Sequence, residues 1–343
     1  MNHDTFLEIL NVPSPSGREE KMKAFIAQYL KKIGIVPIDA GYAGLYWEIG
    51  EGESLAIVSA HIDQVSYTVE RIDKEGYIYF QMPGIDARIA PGQEVSVWGK
   101  KELTGVVGMV PPHYLSQEER TRPVPRKKLF IDTGLAAEQV HQNVHIGDSC
   151  TWRYRSSRML GTMLTGAGID NRVSLYLSLL LTERLSSKSL PGRVRFIAST
   201  QEEGMMFGAA AATRLAFQST EDVSFALIMD ATFGLSHGVE DSAFPLGEGY
   251  TLGVGPILSK SHLHVMKEVS ESLNLSYSLE PLTRSTGTEA DIISLVGEGM
   301  PVILLSIPIR NMHSPVEVVD LNDVELSLKL LDTAFVEEKL WEA

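Results

Sequence analysis

Four short apolar runs follow turn signals along the chain: SLAIVSA (Ser54–Ala60), RVRFIAST (Arg193–Thr200), VSFALIMD (Val223–Asp230) and PVILLSIPI (Pro301–Ile309). Each predicts a buried strand. Helical spacing of apolar residues fills the stretches between them. Asn171–Ser186 is Leu-rich, Gly204–Phe217 is Ala-rich, and Ser259–Leu273 and Asp320–Leu340 complete the set. Near the start, Ser16 and Glu19 have the spacing of a capping box before a helix over Glu19–Ile33. Strands alternating with helices predict an α/β fold, a mixed sheet with helices on both faces.

The middle of the chain has a different rhythm. Short alternating segments, among them SYTVERID, YIYFQM, EVSVWG, GVVGMV, KLFID and DSCTWRY, are separated by Gly, Pro and Asp. This pattern predicts a small β-barrel. The expected division is a catalytic α/β domain of residues 1–66 and 160–343 with a barrel of residues 67–159 inserted at a surface loop. The glycines between Gly247 and Gly255 lie in no strand–loop–helix context and are expected to form a loop. The basic stretch Arg120–Lys128 is expected to be a solvated loop.

Composition narrows the function classes. A net charge of −14 argues against a nucleic-acid partner, which requires a basic face. The single cysteine, Cys150, excludes an internal disulfide and a Cys-based metal site. No cationic segment precedes an apolar one at the N-terminus, and no apolar run is long enough to span a bilayer, so a cytoplasmic protein without a membrane partner is expected.

The candidate chemistry sits just past the predicted strands. His61 and Asp63 follow the first run, Glu202 and Glu203 the second; Asp230 ends the third, and His313 follows the fourth. Asp170 opens the helix after the predicted insertion. Ligands of open α/β sheets gather at the carboxyl ends of strands. Separate stretches of chain would therefore deliver these groups to one crevice. Two adjacent carboxylates at a strand mouth repel each other and resist desolvation, a cost that cations relieve. Two imidazoles with several carboxylates and no thiolate suit Zn²⁺, Co²⁺ or Mn²⁺ better than Ca²⁺ or Mg²⁺. Asp63, two residues beyond His61, could accept a hydrogen bond from the imidazole nitrogen that faces away from a metal. One bridging carboxylate would hold two cations roughly 3.5–4 Å apart. Other histidines fit less well. His113, His141, His145 and His237 are expected in loops or at the surface. His262 and His264 would face different directions on a helix.

The chain resembles the tetrahedral aminopeptidases, a branch of the co-catalytic metallopeptidases that includes glutamyl aminopeptidases and proteins labelled endoglucanase M. The resemblance rests on SPSGREE (Ser14–Glu20), SAHIDQV (Ser59–Val65), PPHYL (Pro111–Leu115), GIDNR (Gly168–Arg172), TQEEGMMFGA (Thr200–Ala209), DAT (Asp230–Thr232), GTEAD (Gly287–Asp291) and NMHSPVEVVDLNDVE (Asn311–Glu325), in that order. It implies two divalent metal ions per subunit, zinc first and cobalt or manganese as alternatives. His61 and Asp230 would bind one, Glu203 and His313 the other, and Asp170 would bridge them. Glu202 would be the general base and Asp63 the partner of His61. It also implies a PDZ-like insertion, a cis bond between Asp170 and Asn171, and a homo-oligomer, up to a twelve-subunit shell. Gln64, Val65, Ser66 and Asn171 depart from the family's usual residues but are not among the implied ligands.

The activity these readings predict is metal-assisted hydrolysis of N-terminal residues from peptides with a free N-terminus. A carboxypeptidase or N-deacylase on the same core would need an Arg clamp, for which Arg310 is the candidate. A glycoside hydrolase would need carboxylates flanking the sugar bond and aromatic platforms. Trp47, Trp98, Trp152 and Trp341 are scattered along the sequence and mark no such platform.

Overall fold

The computed structural model describes residues 3–153, 155–218, 222–239 and 242–343. Tyr154, which ends one expected barrel segment, lies outside them. The four apolar runs are strands: Ser54–His61, Arg193–Ser199, Asp222–Phe233 and Val302–Arg310. They pair side by side and parallel, in the order Arg193–Ser199, Ser54–His61, Asp222–Phe233, Val302–Arg310. Leu45–Ile49 adds an antiparallel strand at one side, and Tyr250–Val254 and Glu317–Asp320 pair antiparallel with Val302–Arg310. The result is a mixed sheet, eleven-stranded among the described residues.

Alternate side chains of each central strand leave opposite faces. Ala56, Val58, Phe225 and Leu227 join one core, while Leu55, Ile57, Ala226 and Ile228 join another. Helix Ile169–Leu185, buried almost all round, closes the first core together with Lys260–Ser272 and Leu321–Ala334. Phe207–Gln218 and Ala290–Ile293 close the second. Cover on both faces is why these strands read as nearly continuous apolar runs.

Between Tyr67 and Trp152 the chain forms a closed antiparallel barrel. Its strands run Tyr67–Ile72, Ile78–Gln81, Phe130–Asp132, Glu102–Gly108, Glu94–Trp98 and Ser149–Trp152 around the wall. Val69, Phe80, Val95, Val107, Ile131 and Cys150 fill its interior. Three of the five cations of the Arg120–Lys128 stretch form ion pairs: Arg122 with Glu118 at 2.5 Å, Arg126 with Glu70 at 2.8 Å, and Lys128 with Glu119 at 2.8 Å.

The structure corrects four local expectations. Tyr250–Val254, expected as loop, is a strand. Its one glycine and the one just before it serve close packing: a Cβ on Gly253 would stand 2.8 Å from a Leu258 methyl, and one on Gly249 2.0 Å from the Ser276 carbonyl oxygen. No capping box forms before helix Glu20–Lys32; Ser16 and Glu19 are bound elsewhere. The expected helix from Gly204 is broken at Met206, whose φ is +61°, into Glu202–Met205 and Phe207–Gln218. The C-terminal helix is likewise two pieces, Leu321–Ala334 and Glu338–Trp341. The expected opposition of His262 and His264 is present. His262 is buried 5.1 Å from the Phe225 ring, and His264 is exposed beside Glu268.

Candidate metal centre

Parallel strands deliver their carboxyl ends to one edge of the sheet, and register sets the depth of each side chain there. Ser199 pairs with His61, so the turn carrying Glu202 and Glu203 begins level with the imidazole. One strand further on, Asp230 pairs with Ser306. Asp170 enters from the segment before its helix, where residues 170 and 171 have non-helical dihedrals and the bond joining them is cis. His313 enters from the loop after Val302–Arg310, with φ +59°.

These side chains meet. His61 Nε2 lies 3.3 Å from Asp170 Oδ1 and 3.7 Å from both Asp230 Oδ1 and Glu202 Oε2. His313 Nε2 lies 3.4 Å from Asp170 Oδ2 and 3.6 Å from Glu203 Oε2. Two triads result, His61–Asp170–Asp230 and Asp170–Glu203–His313. Within each, the candidate ligand atoms all lie within 4.8 Å of one another. Asp170 belongs to both and offers a different oxygen to each histidine.

A ring of hydrogen bonds orients these groups. Asp63 accepts from Ser16 Oγ at 2.6 Å, from the Glu202 amide at 2.9 Å and from the Glu203 amide at 3.1 Å. His61 Nδ1 stands 3.4 Å from Asp63 Oδ1, in ion-pair range but short of a formed hydrogen bond. Glu317, fully buried, accepts from the His313 amide at 2.8 Å and the Asp170 amide at 3.2 Å. His313 Nδ1 pairs with the Gly84 carbonyl of the barrel at 2.9 Å, which turns Nε2 toward the carboxylates. Glu19 accepts from the amides of Gly17 and Gln201. Glu289, also buried, accepts from Ser59 Oγ at 2.6 Å and from Ser199 Oγ. Sequence reasoning gave Glu317 and Glu289 no role and read Glu19 only as part of a helix cap. Their positions inside conspicuous motifs were the available signal.

Electrostatics expose what the cluster lacks. Burial pushes Glu202 up to about 7; the carboxylates of Glu289, Asp170 and Asp63 add to this against the pull of His61. Burial and then Asp170 or its neighbours hold Glu203 and Asp230 well above the ordinary carboxyl range. Burial alone would lower His61, but Glu202, Asp170, Asp63 and Asp230 outweigh it and raise it well above its usual value. His313 rises to about 10 against its own burial, through Asp170 and Glu203. Burial first, and then crowding of like charges, keeps Glu202, Glu203 and Asp230 raised, whereas Asp170, between the two imidazoles, is held below its ordinary value. The residues fit divalent cations on two further counts. Glu203 Oε1 is buried without a hydrogen-bond partner, and the donors are imidazole and carboxylate without thiolate.

The centre opens into a cavity of about 630 Å³. Arg310 is absent from its lining, and its Nε donates to the Leu235 carbonyl at 2.7 Å. None of the four tryptophans lines the cavity. Among the described residues no helix is long and apolar enough to cross a membrane.

Comparison with known proteins agrees with this architecture. The profile of the M42 glutamyl aminopeptidase family matches residues 45–330. A lysyl aminopeptidase of Pyrococcus furiosus is 28% identical over 289 residues, covering 82% of each chain. The aminopeptidase structure from the archaeon Desulfurococcus kamchatkensis superposes with a TM-score of 0.87 at 26% identity, over 98% of this chain and 95% of that one. The TET1 peptidase of Pyrococcus horikoshii, described as assembling into a tetrahedron or a large octahedral shell, superposes with a TM-score of 0.84 at 26% identity, over 98% and 99%. The chain therefore belongs to the M42 glutamyl aminopeptidase family and is an aminopeptidase, an enzyme that removes N-terminal residues from peptides.

Proposed function

We propose that this aminopeptidase works through a dinuclear centre in which His61 and Asp230 hold one divalent cation, Glu203 and His313 hold the other, and Asp170 bridges them. Zinc suits the donor set first, with cobalt or manganese as alternatives. The observation that carries this reading is the pair of triads sharing Asp170. When bound, the cations would acidify a water molecule and polarise the scissile carbonyl.

In this reading Glu202 accepts the proton of the attacking water and returns it to the leaving amine. Its place beside His61, and a proton affinity near neutrality before any cation is bound, support that role. Asp63 seats the Glu202–Glu203 turn and backs His61. The substrate's free α-amine lies at the centre, and its first side chain extends into the cavity. Arg310, engaged with a backbone carbonyl outside the cavity, gives a carboxypeptidase or N-deacylase reading no clamp. Glu202→Gln should keep both cations while kcat falls about 10²–10⁴-fold. Metal analysis beside steady-state kinetics checks this, and undiminished turnover would remove Glu202 from the mechanism.

Three coarser features complete the reading. The barrel, residues 67–159, is an inserted domain between halves 1–66 and 160–343. The shell described for the Pyrococcus horikoshii relative and the exposed Tyr42, Tyr114 and Leu160 support a homo-oligomer here, up to a dodecamer. A cytoplasmic location agrees with a lone buried cysteine.

A further inference from the structure

The cavity continues beyond the metal centre along the sheet face that carries Asp230. Thr232 follows Asp230 by two positions on one strand, so both side chains leave the same face roughly 7 Å apart. Strand Tyr277–Pro281 borders Tyr250–Val254 and brings Glu280 to this end of the cavity. Glu280 Oε1 accepts from Thr232 Oγ1 at 2.6 Å, and Oε2 accepts from Thr251 Oγ1 at 2.7 Å. Apart from the residues of the metal centre, Glu280 is the one charged side chain among the described residues lining the cavity, and no Lys or Arg lines it. Phe233, Phe244, Leu282 and Met312 supply apolar wall on the way.

Two hydroxyls fix the direction of the Glu280 carboxylate without neutralising it. A carboxylate has about four lone-pair sites, so capacity for a cationic donor remains. A site with a metal-held α-amine at one end, an apolar wall and a fixed negative charge at the other suits a side chain with an aliphatic stem and a positive tip. The distance from Asp230 to Thr232 is within the reach of a four-carbon lysine stem. An N-terminal glutamate would set its carboxylate against Glu280 with no cation to relieve it.

We propose that Glu280 makes this enzyme prefer peptides beginning with lysine or arginine over those beginning with leucine, and disfavour those beginning with glutamate. The inference rests on the aminopeptidase reading above, with the α-amine at the metal centre. Glu280 is not needed merely to satisfy Thr232 and Thr251, because a glutamine could meet both hydroxyls, accepting from one and donating to the other. The negative charge is the property left to explain.

The test uses the full-length, metal-loaded protein. Calorimetry compares free L-lysine with L-norleucine, which has a similar stem and no cation. Kinetics compare lysyl, leucyl and glutamyl anilides. Lysine should bind roughly ten- to a hundred-fold more tightly than norleucine, the worth of a charge-assisted hydrogen bond. The kcat/KM values should fall in the order lysyl, leucyl, glutamyl. In Glu280→Gln both lysine advantages should shrink by a similar factor. Lysine binding no tighter than norleucine in the wild-type protein would overturn the inference without any variant having to fold, as would unchanged ratios in Glu280→Gln. Hydrolysis of the leucyl or glutamyl anilide with no lysyl preference would overturn the inference alone. No hydrolysis of any anilide would overturn the aminopeptidase reading beneath it.

Discussion

Asp63 has no place in either candidate ligand triad, yet it accepts three hydrogen bonds, two of them from the amides of Glu202 and Glu203. Asp63→Ala leaves those amides unpaired and frees the turn. Cation affinity should fall about 10–100-fold, measured by metal titration with the fold monitored by circular dichroism. The crowded carboxyls also predict a pH signature for the metal-free protein. Glu202 and Glu317 have folded-state values raised to about 7 and about 8 from an ordinary value near 4.5. The raised direction means that the folded state binds protons more tightly than the unfolded chain. The stability so contributed is complete below the ordinary carboxyl range and is lost as pH rises through about 7 and then about 8. The Tm of chelated protein should therefore fall between pH 6 and 9, and saturating divalent cation should raise the Tm and flatten the slope. A flat profile with chelator would contradict the proton-rich cluster. The triad residues were legible in sequence because each stands just beyond an apolar run or opens a helix. Glu317, Glu289 and Glu19 were not, because each is held by groups distant in sequence or by backbone amides in irregular segments.

Periodicity found the central strands to within a few residues because burial on both faces leaves little polar interruption. It misread Tyr250–Val254, where glycine reports the closeness of neighbouring strands rather than a turn. It misread Ser16 for a related reason. The Ser-x-x-Glu spacing is a local signal, but the hydroxyl finds Asp63, 47 positions away, and Glu19 turns toward Gln201. Helix Phe207–Gln218 depends on a similarly tight approach. A Cβ on Gly208 would lie 2.3 Å from the Thr200 carbonyl oxygen and 2.4 Å from its nitrogen, both backbone atoms. Gly208→Val should push the helix from the strand end that carries Glu202 and Glu203. It should destabilise by about 1–3 kcal/mol, as overpacked cores do, and lower kcat as well. Denaturant unfolding and kinetics on the same preparation check both effects.

One buried guanidinium helps to fasten the N-terminal segment to the core, beside the stacking of Phe6 on Tyr176 and the bond from Ser14 Oγ to the Ile62 carbonyl. Arg172 donates to the carbonyls of Leu10, Val12 and Ala167, to Ser14 Oγ and to Gln64 Oε1. Burial lowers it, to about 10, and it stays charged at neutral pH. Arg172→Met would strand several buried acceptors and should destabilise by at least about 3 kcal/mol, measured by denaturant unfolding. The α/β core with its barrel was readable from the change of rhythm in mid-chain, but the way the two meet was not, because the contacts join groups far apart in sequence: Arg18 reaches Asp148 Oδ1 at 2.6 Å, and His313 meets a backbone carbonyl. The Gly84 carbonyl, in a barrel loop with φ +72°, holds His313 Nδ1. The barrel thus chooses the tautomer of an imidazole that belongs to the other half of the molecule. A foreign β-module grafted in its place would inherit that duty. Unless it offered an acceptor at the same point, His313 would be free to present the wrong nitrogen, and the graft would be a well-folded protein with a mis-keyed active site.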